Sequence, residues 1–183
     1  VLPNHYPDMP SSLMHIYLIE AGPRLLAGMS EESSAHAEQF LREMGVNILL
    51  NKRVVDYRDH KVVLEDGTEI ATRTFIWVSG VTGVTIGNLD ASLIGRGGRI
   101  KVDSFNRVEG MNNVFAIGDQ CIQVADEDYP NGHPQLAQVA IQQGELLAKN
   151  LVRMEKGREM KPFHYRNLGS MATVGRNRAV AEF

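Results

Sequence analysis

A single cysteine, Cys121, stands in the 183 residues, so no internal disulfide can close, and there is no Cys-x-x-Cys pair for zinc or dithiol chemistry. A reducing compartment is the default that follows. Nowhere do about 18 apolar residues run together, the minimum for a membrane-spanning helix. The six histidines, His5, His15, His36, His60, His133 and His164, show no ligand spacing and no H-E-x-x-H run, which argues against a metal. Basic and aromatic residues do not interleave, which argues against nucleic acid. A secretory signal opens on a basic segment and an apolar run; this chain opens Val1-Leu2-Pro3-Asn4-His5-Tyr6-Pro7-Asp8-Met9-Pro10. That start, without an initiator Met, reads as the interior of a loop and the chain as a piece of a longer polypeptide.

What is present is globular in kind. Hydrophobic residues make up 43% and charged residues 22%, outside the disordered and fibrous classes, and the length suits one domain or parts of two. The net charge of -3 is unevenly spread: 12 Lys and Arg face 19 Asp and Glu through residue 150, but 7 face 3 beyond it. An acidic body with a basic tail fits either a solvated surface or contact with an anionic one.

Apolar periodicity predicts a buried strand at His15 to Glu20, ended by Ala21-Gly22-Pro23. A helix follows from Ser30 to Met44, with Ser30 as N-cap, Glu31 and Glu32 at its positive end, an apolar stripe of Phe40, Leu41 and Met44, and Gly45 as C-terminal cap. Val46 to Leu50 is a second strand, giving a parallel β-α-β unit. Lys61 to Ile70 folds as a hairpin about Asp66-Gly67, and Thr74 to Val78 is an apolar strand with Phe75 and Trp77 in the core. Gly80, Gly83, Gly87, Gly95, Gly97 and Gly98 mark a crossing between domains. Ile100 to Val102 and Asn113 to Ile117 are further strands, and a long helix runs from Pro134 to about Arg153.

Three places carry chemistry. Glu20, at a strand end of a β-α-β unit, is placed to accept hydrogen bonds from ribose hydroxyls, although the Gly-rich turn that should precede it is missing, and without that turn a plain surface charge is the commoner reading unless the chain is cut after the motif. In Val114-Phe115-Ala116-Ile117-Gly118-Asp119 a strand delivers a glycine that lets a ligand approach and an acceptor for polyol hydroxyls; an Asp-capped turn is the plainer reading. Gln135, Gln138, Gln142, Glu145 and Lys149 share one helix face, while Ala137, Ile141, Gly144 and Ala148 form a small-residue packing face and Leu136, Ala140, Leu147 and Leu151 supply apolar bulk. Solvated stripes are usually rich in Lys and Glu. Glutamines at the positive end of a helix instead suit an electron-rich ligand. Cys121 has no resolving partner and reads as a packed thiol.

At these motifs the sequence resembles the type II NADH:quinone oxidoreductases, single-subunit flavoproteins. The resemblance rests on Ile19 to Leu26, Ile76 to Val81, Val114 to Asp119, Ala137-Gln138-Val139-Ala140-Ile141-Gln142-Gln143-Gly144, and Gly169 to Arg176. It implies an α/β fold: a partial two-dinucleotide-binding-domain flavoprotein with Rossmann-like three-layer sheets, incomplete at both ends. The implied division is 1–83 for the far half of the NADH domain, 84–157 for the closing half of the FAD domain and 158–183 for the start of a C-terminal anchor domain. By resemblance Glu20 binds the NADH ribose, Gly80 approaches its adenosine, and Gly118 and Asp119 hold the ribityl and phosphate region of FAD. Backbone at Ala137 and Gln138 meets the flavin ring, and Gln138 and Gln142 face the quinone. The implied reaction passes a hydride from NADH to FAD and electrons to quinone at the cytoplasmic face of a membrane, with a peripheral attachment through an anchor beyond Phe183.

The chain alone is then expected to hold FAD poorly and to be inactive. Uncovered strand edges predict a homodimer, which a monomer across a light-scattering concentration series would remove. Two alternatives stand beside this: a soluble FAD-dependent NAD(P)H reductase with a protein or disulfide acceptor, and a non-catalytic nucleotide-binding module. Glu20 leans towards NADH, since a carboxylate repels a 2′-phosphate.

Overall fold

The computed structural model describes residues 14–84 and 86–183, so the reading of the opening ten residues lies outside the described residues. Contacts divide the chain into two units, Val1–Trp77 with Gly169–Phe183, and Val78–Leu168.

In the first unit, strand β1 (Ile16–Ile19) pairs in parallel with β2 (Val46–Leu49), in register from Ile16 opposite Val46 to Ile19 opposite Leu49. Helix α1 (Glu31–Glu43) connects them. It begins where the sequence predicts: the Ser30 side chain accepts from the Ser33 N–H at 3.1 Å, and Glu31 and Glu32 complement the helix dipole. Beyond Glu43 the chain turns through Gly45 at φ +82°. Strands β3 (Val54–Arg58), β4 (Lys61–Leu64) and β5 (Glu69–Ala71) form an antiparallel meander. The β4–β5 turn is the expected Asp66-Gly67, with Lys52 bonded to Asp66 and holding its carboxyl well below the usual carboxylate range. Strand β3 escaped the sequence reading, because its turn into β4 uses Asp59 and His60, both at positive φ, without the usual glycine.

Strands β8 (Ser170–Thr173) and β9 (Ala179–Glu182) form an antiparallel hairpin that packs on α1. Val174 and Val180 close over Ala37, and the Ser30 N–H donates to the Glu182 carboxylate at 2.8 Å.

Three expectations need correction. Thr74 to Val78 forms no strand: Ile76 is 74% and Val78 84% exposed. An apolar run becomes a strand only beside a partner, and none pairs with it among the described residues. Phe75 stacks on Tyr57 at 4.8 Å and Trp77 leans on Phe75 at 5.9 Å, but Trp77 stays 60% exposed and is not core.

In the second unit, β6 (Ile100–Val102) and β7 (Cys121–Gln123) pair in parallel. Ile100, Val102, Val108 and Cys121 make its core, with Leu93, Ile94 and Ala116 against them. Asn113 to Ile117 is likewise not a strand. It meets residues 106–108 in an isolated bridge, Arg107 opposite Phe115, with Val108 N–H to Val114 O at 2.9 Å and Ala116 N–H to Asn106 O at 3.0 Å, and the next strand starts four residues past Ile117, at Cys121. The long helix α2 (Ala137–Glu155) begins three residues after Pro134, so the proline precedes the helix instead of opening it.

Candidate functional site

Gly118 enters a single turn of 3-10 helix, Gly118–Gln120, at φ +64°, a left-handed backbone that glycine adopts at no steric cost. The turn sits on α2. The Gly118 N–H donates to Gln143 Oε1 at 2.7 Å, a Cβ added at Gly118 would lie 3.2 Å from Ala140 Cβ, and one added at Gly144 would lie 3.7 Å from Ile117 Cδ1. Ala140, Gln143 and Gly144 are one helix face at spacings of three and four, so small residues admit the turn and the glutamine fixes it. Asp119 projects exposed beyond the turn, and its carbonyl accepts from Gln135 Nε2 at 3.2 Å.

The predicted packing face of α2 is displaced. Ile141 is 60% exposed and Ala137 and Ala148 are exposed too, while the buried stripe is Val139, Gln143 and Asn150. Amides are buried there because each satisfies backbone groups that have no ladder of their own. Sequence reasoning grouped the glutamines by spacing and passed over Gln143. Its adjacency to Gly144 on the Ala140 face was the available signal.

Side-chain amides of α2, buried Asn150 and the less buried Gln142 and Gln138, form a clamp. Asn150 Nδ2 donates to Lys161 O and accepts the Lys161 N–H at Oδ1, both at 2.8 Å. Gln142 makes the same paired contact with Arg166, Nε2 to O at 2.9 Å and N–H to Oε1 at 3.0 Å, and Gln138 Oε1 accepts the Leu168 N–H at 3.1 Å. Three side-chain amides thus hold residues 161–168 antiparallel along the helix as a strap. From Gln138 to Asn150 the helix advances about 18 Å. The strap, fully extended, would reach about 23 Å. The slack goes into Phe163, which buries its ring 5.1 Å from His133, and an open cleft of about 320 Å³ between Leu146 and Pro162 borders Gln142.

Beneath the strap, His133 Nε2 lies 3.0 Å from Asp126 Oδ2, both side chains buried, with Tyr129, Phe163 and Tyr165 rings around the imidazole. The hydrogen bond from His133 holds the Asp126 carboxyl below its ordinary range. Arg99 Nε donates to Cys121 O at 2.6 Å and its Nη2 to His133 O at 3.1 Å. Burial pushes the Cys121 thiol up, in keeping with a packed sulfur.

The remaining predicted residues are Glu20 and Gly80. In the first unit, half-buried Glu20 ends β1, and its Oε1 accepts the Gly22 N–H at 2.7 Å, which fixes the carboxylate and leaves acceptor positions open. Gly80 is exposed at φ +105° with open space around it. No cluster of three metal-ligating side chains exists among the described residues, and no described helix is long and apolar enough to cross a membrane.

Chemically, this is a site of fixed acceptors and neutral amides. Helix α2 has no side-chain cap at Leu136, which leaves the Ala137 N–H to a partner outside the helix. Gly118 lets the turn pack against Ala140 of α2, and the exposed Asp119 carboxylate just beyond offers acceptors that fit a ligand carrying hydroxyls.

Comparison with known proteins identifies relatives of the chain. The chain is 34% identical over 180 residues to the type II NADH:quinone oxidoreductase NdhA of Mycobacterium tuberculosis, covering 91% of this chain and 37% of that protein. It is 30% identical over 172 residues to the type II NADH:quinone oxidoreductase of Haemophilus influenzae, covering 92% and 38%. The chain therefore spans about two fifths of the length of these curated relatives. In fold it resembles the solved structure of NDH2 from Plasmodium falciparum in complex with NADH, with a TM-score of 0.83 at 19% identity over 98% of this chain and 52% of that one. The model of the pyridine nucleotide-disulphide oxidoreductase family matches residues 10–144, and with the Gly118 turn and the β-α-β unit inside that span the chain belongs to this family.

Proposed function

We propose that this chain is the part of an FAD-dependent NADH:quinone oxidoreductase that holds the ribose of NADH and joins the FAD-binding turn to the quinone-facing helix. The observation that carries the reading is the seating of Gly118–Asp119 on α2, the helix whose other face presents Gln138 and Gln142. The names of the curated relatives support it. In this reading the segments 1–83, 84–157 and 158–183 belong to the NADH, FAD and anchor domains. The basic stretch from residue 151 lies towards the cytoplasmic face of a membrane, where a quinone is met.

Bound FAD would supply the redox chemistry, which is the cofactor's own. The chain's residues bind and orient. The Glu20 carboxylate accepts the NADH ribose hydroxyls, and Gly80 lets the adenosine approach. Gly118 and Asp119 hold the polyol and phosphate region of FAD, and backbone at Ala137 and Gln138 meets the ring. The amides of Gln138 and Gln142 polarise the quinone. Gln142 spends one N–H and one lone pair on Arg166 and keeps the second of each, held in a fixed plane by the strap.

The test is NADH oxidation with a soluble quinone and added FAD, comparing this chain with the polypeptide extended to the length of its relatives. Turnover is expected in the extended protein alone, with Gln142→Ala slowing quinone reduction more than flavin reduction by NADH. An extended protein that binds flavin but ignores quinone sinks this reading in favour of a soluble reductase with a protein or disulfide acceptor. A colourless extended protein leaves a nucleotide-binding module.

A further inference from the structure

Gln143 is the one glutamine of the helix that the function above leaves unused, and it is the most deeply placed, at 1% exposure. Its Oε1 accepts the Gly118 N–H at 2.7 Å, a short bond between the turn proposed to hold FAD and the helix proposed to face the quinone. The neighbouring contacts fix the same point. Ala140 Cβ sits where a Gly118 Cβ would come to 3.2 Å, and Ile117 Cδ1 lies 3.7 Å from where a Gly144 Cβ would be. The Cys121 thiol also points at Gln143 Oε1, at 3.7 Å, and at Gly118 O, at 3.5 Å, so the acceptor is shared at the end of the turn.

A left-handed glycine has the widest choice of backbone conformations in the chain, and Gln143 supplies the bond that selects one. We infer that Gln143 is a positioning residue for the cofactor: it sets the orientation of the Gly118–Asp119 turn, and so of the Asp119 acceptor, against the start of α2. The inference rests on the reading of Gly118 and Asp119 as FAD-binding residues. Burial of Gln143 keeps water from taking its place, so the turn has no second partner of equal strength.

Asn150 is the control. It is as buried as Gln143 and lies on the same helix, but its bonds go to Lys161, away from the turn. The experiment compares Gln143→Leu, Gln143→Glu and Asn150→Ala. In the 183-residue chain, amide hydrogen exchange at Gly118 is expected to rise at least tenfold in Gln143→Leu and return to within about threefold of wild type in Gln143→Glu, which keeps the acceptor oxygen. It should not change in Asn150→Ala. In the extended protein, FAD is expected to bind at least tenfold more weakly to Gln143→Leu, with Gln143→Glu and Asn150→Ala within about threefold of wild type.

FAD affinity that falls equally in Gln143→Leu and Asn150→Ala makes Gln143 a structural residue and overturns the inference. So does unchanged FAD affinity in Gln143→Leu. Should Gln143→Leu fail to fold, Gln143→Met removes the acceptor with a more adaptable side chain and is read by the same criteria. A wild-type extended protein that binds no FAD defeats the functional reading itself, and that failure shows before any variant is made.

Discussion

Gly83→Ala is expected to lower the stability of the second unit by about 3 kcal/mol, at the upper end of overpacking costs. A Cβ built on Gly83 would lie 2.2 Å from the carbonyl oxygen of Gly98 and 2.7 Å from its carbon. Both obstacles are backbone, so no side chain can rotate away. The strand-like approach that creates the conflict is fixed by the Gly83 N–H to Gly97 O bond at 2.8 Å, with Gly97 and Gly98 at φ +70° and +69°. To admit the methyl group the 80s loop must move off the 96–98 turn and give up that bond. Gly87→Ala is the matching control: an added Cβ there meets nothing within 4 Å, and the change should stay within about 0.5 kcal/mol. Urea unfolding followed by circular dichroism separates the two. Equal midpoints for both variants would show that the close approach does not constrain this segment.

A loss of about 2 kcal/mol near neutral pH is expected for Asp126→Ala, because it leaves the buried His133 Nε2 without its hydrogen-bond partner. Asp126 accepts from His133 Nε2 at 3.0 Å and from the Asp128 N–H at 3.2 Å. These bonds hold its carboxyl below the ordinary range, so the folded state keeps it ionised where the unfolded chain has begun to take up a proton. The contribution is therefore complete above the free aspartate pKa of about 4 and drains away as the pH falls through the lower folded value. The gap in urea midpoint between wild type and Asp126→Ala should be widest near pH 7 and narrow towards about pH 3. A gap that stays constant over that range would separate the pair's stability from Asp126 ionisation.

Which parts of the molecule were legible in the sequence follows from how local their causes are. Helix α1 was legible to the residue, because Ser30, Glu31 and Glu32 act within one turn of where they stand. The Asp66-Gly67 hairpin was legible for the same reason. Thr74 to Val78 and Asn113 to Ile117 were not, since strand formation depends on a neighbour that the run itself does not encode. Strand β3 was hidden by a turn in which Asp59 and His60 take positive φ, a place where glycine is the usual signal. At the candidate site the sequence pointed to Gly118, Asp119 and the glutamine helix, and the structure brings these together. What the spacing could not reveal is the division of labour among the amides. Gln143 turns inward to the Gly118 N–H, while Gln138 and Gln142 reach the backbone of residues 166–168, a segment with no pattern of its own.

The strap along α2 also bears on how the molecule meets a protease. Residues 161–168 carry no helix or strand, and most of their side chains are exposed, the usual marks of a cleavable segment. A protease binds its substrate as an added strand, and so needs the N–H and C=O groups of the target free to pair. At Arg166 both are already taken by Gln142, whereas Arg158, just past the end of the helix, has only its N–H engaged, with Arg153 O. Trypsin should therefore cut after Arg158 well before Arg166. In Gln142→Ala that order should be lost, so that a side-chain amide with no part in the folded core decides where the chain can be opened.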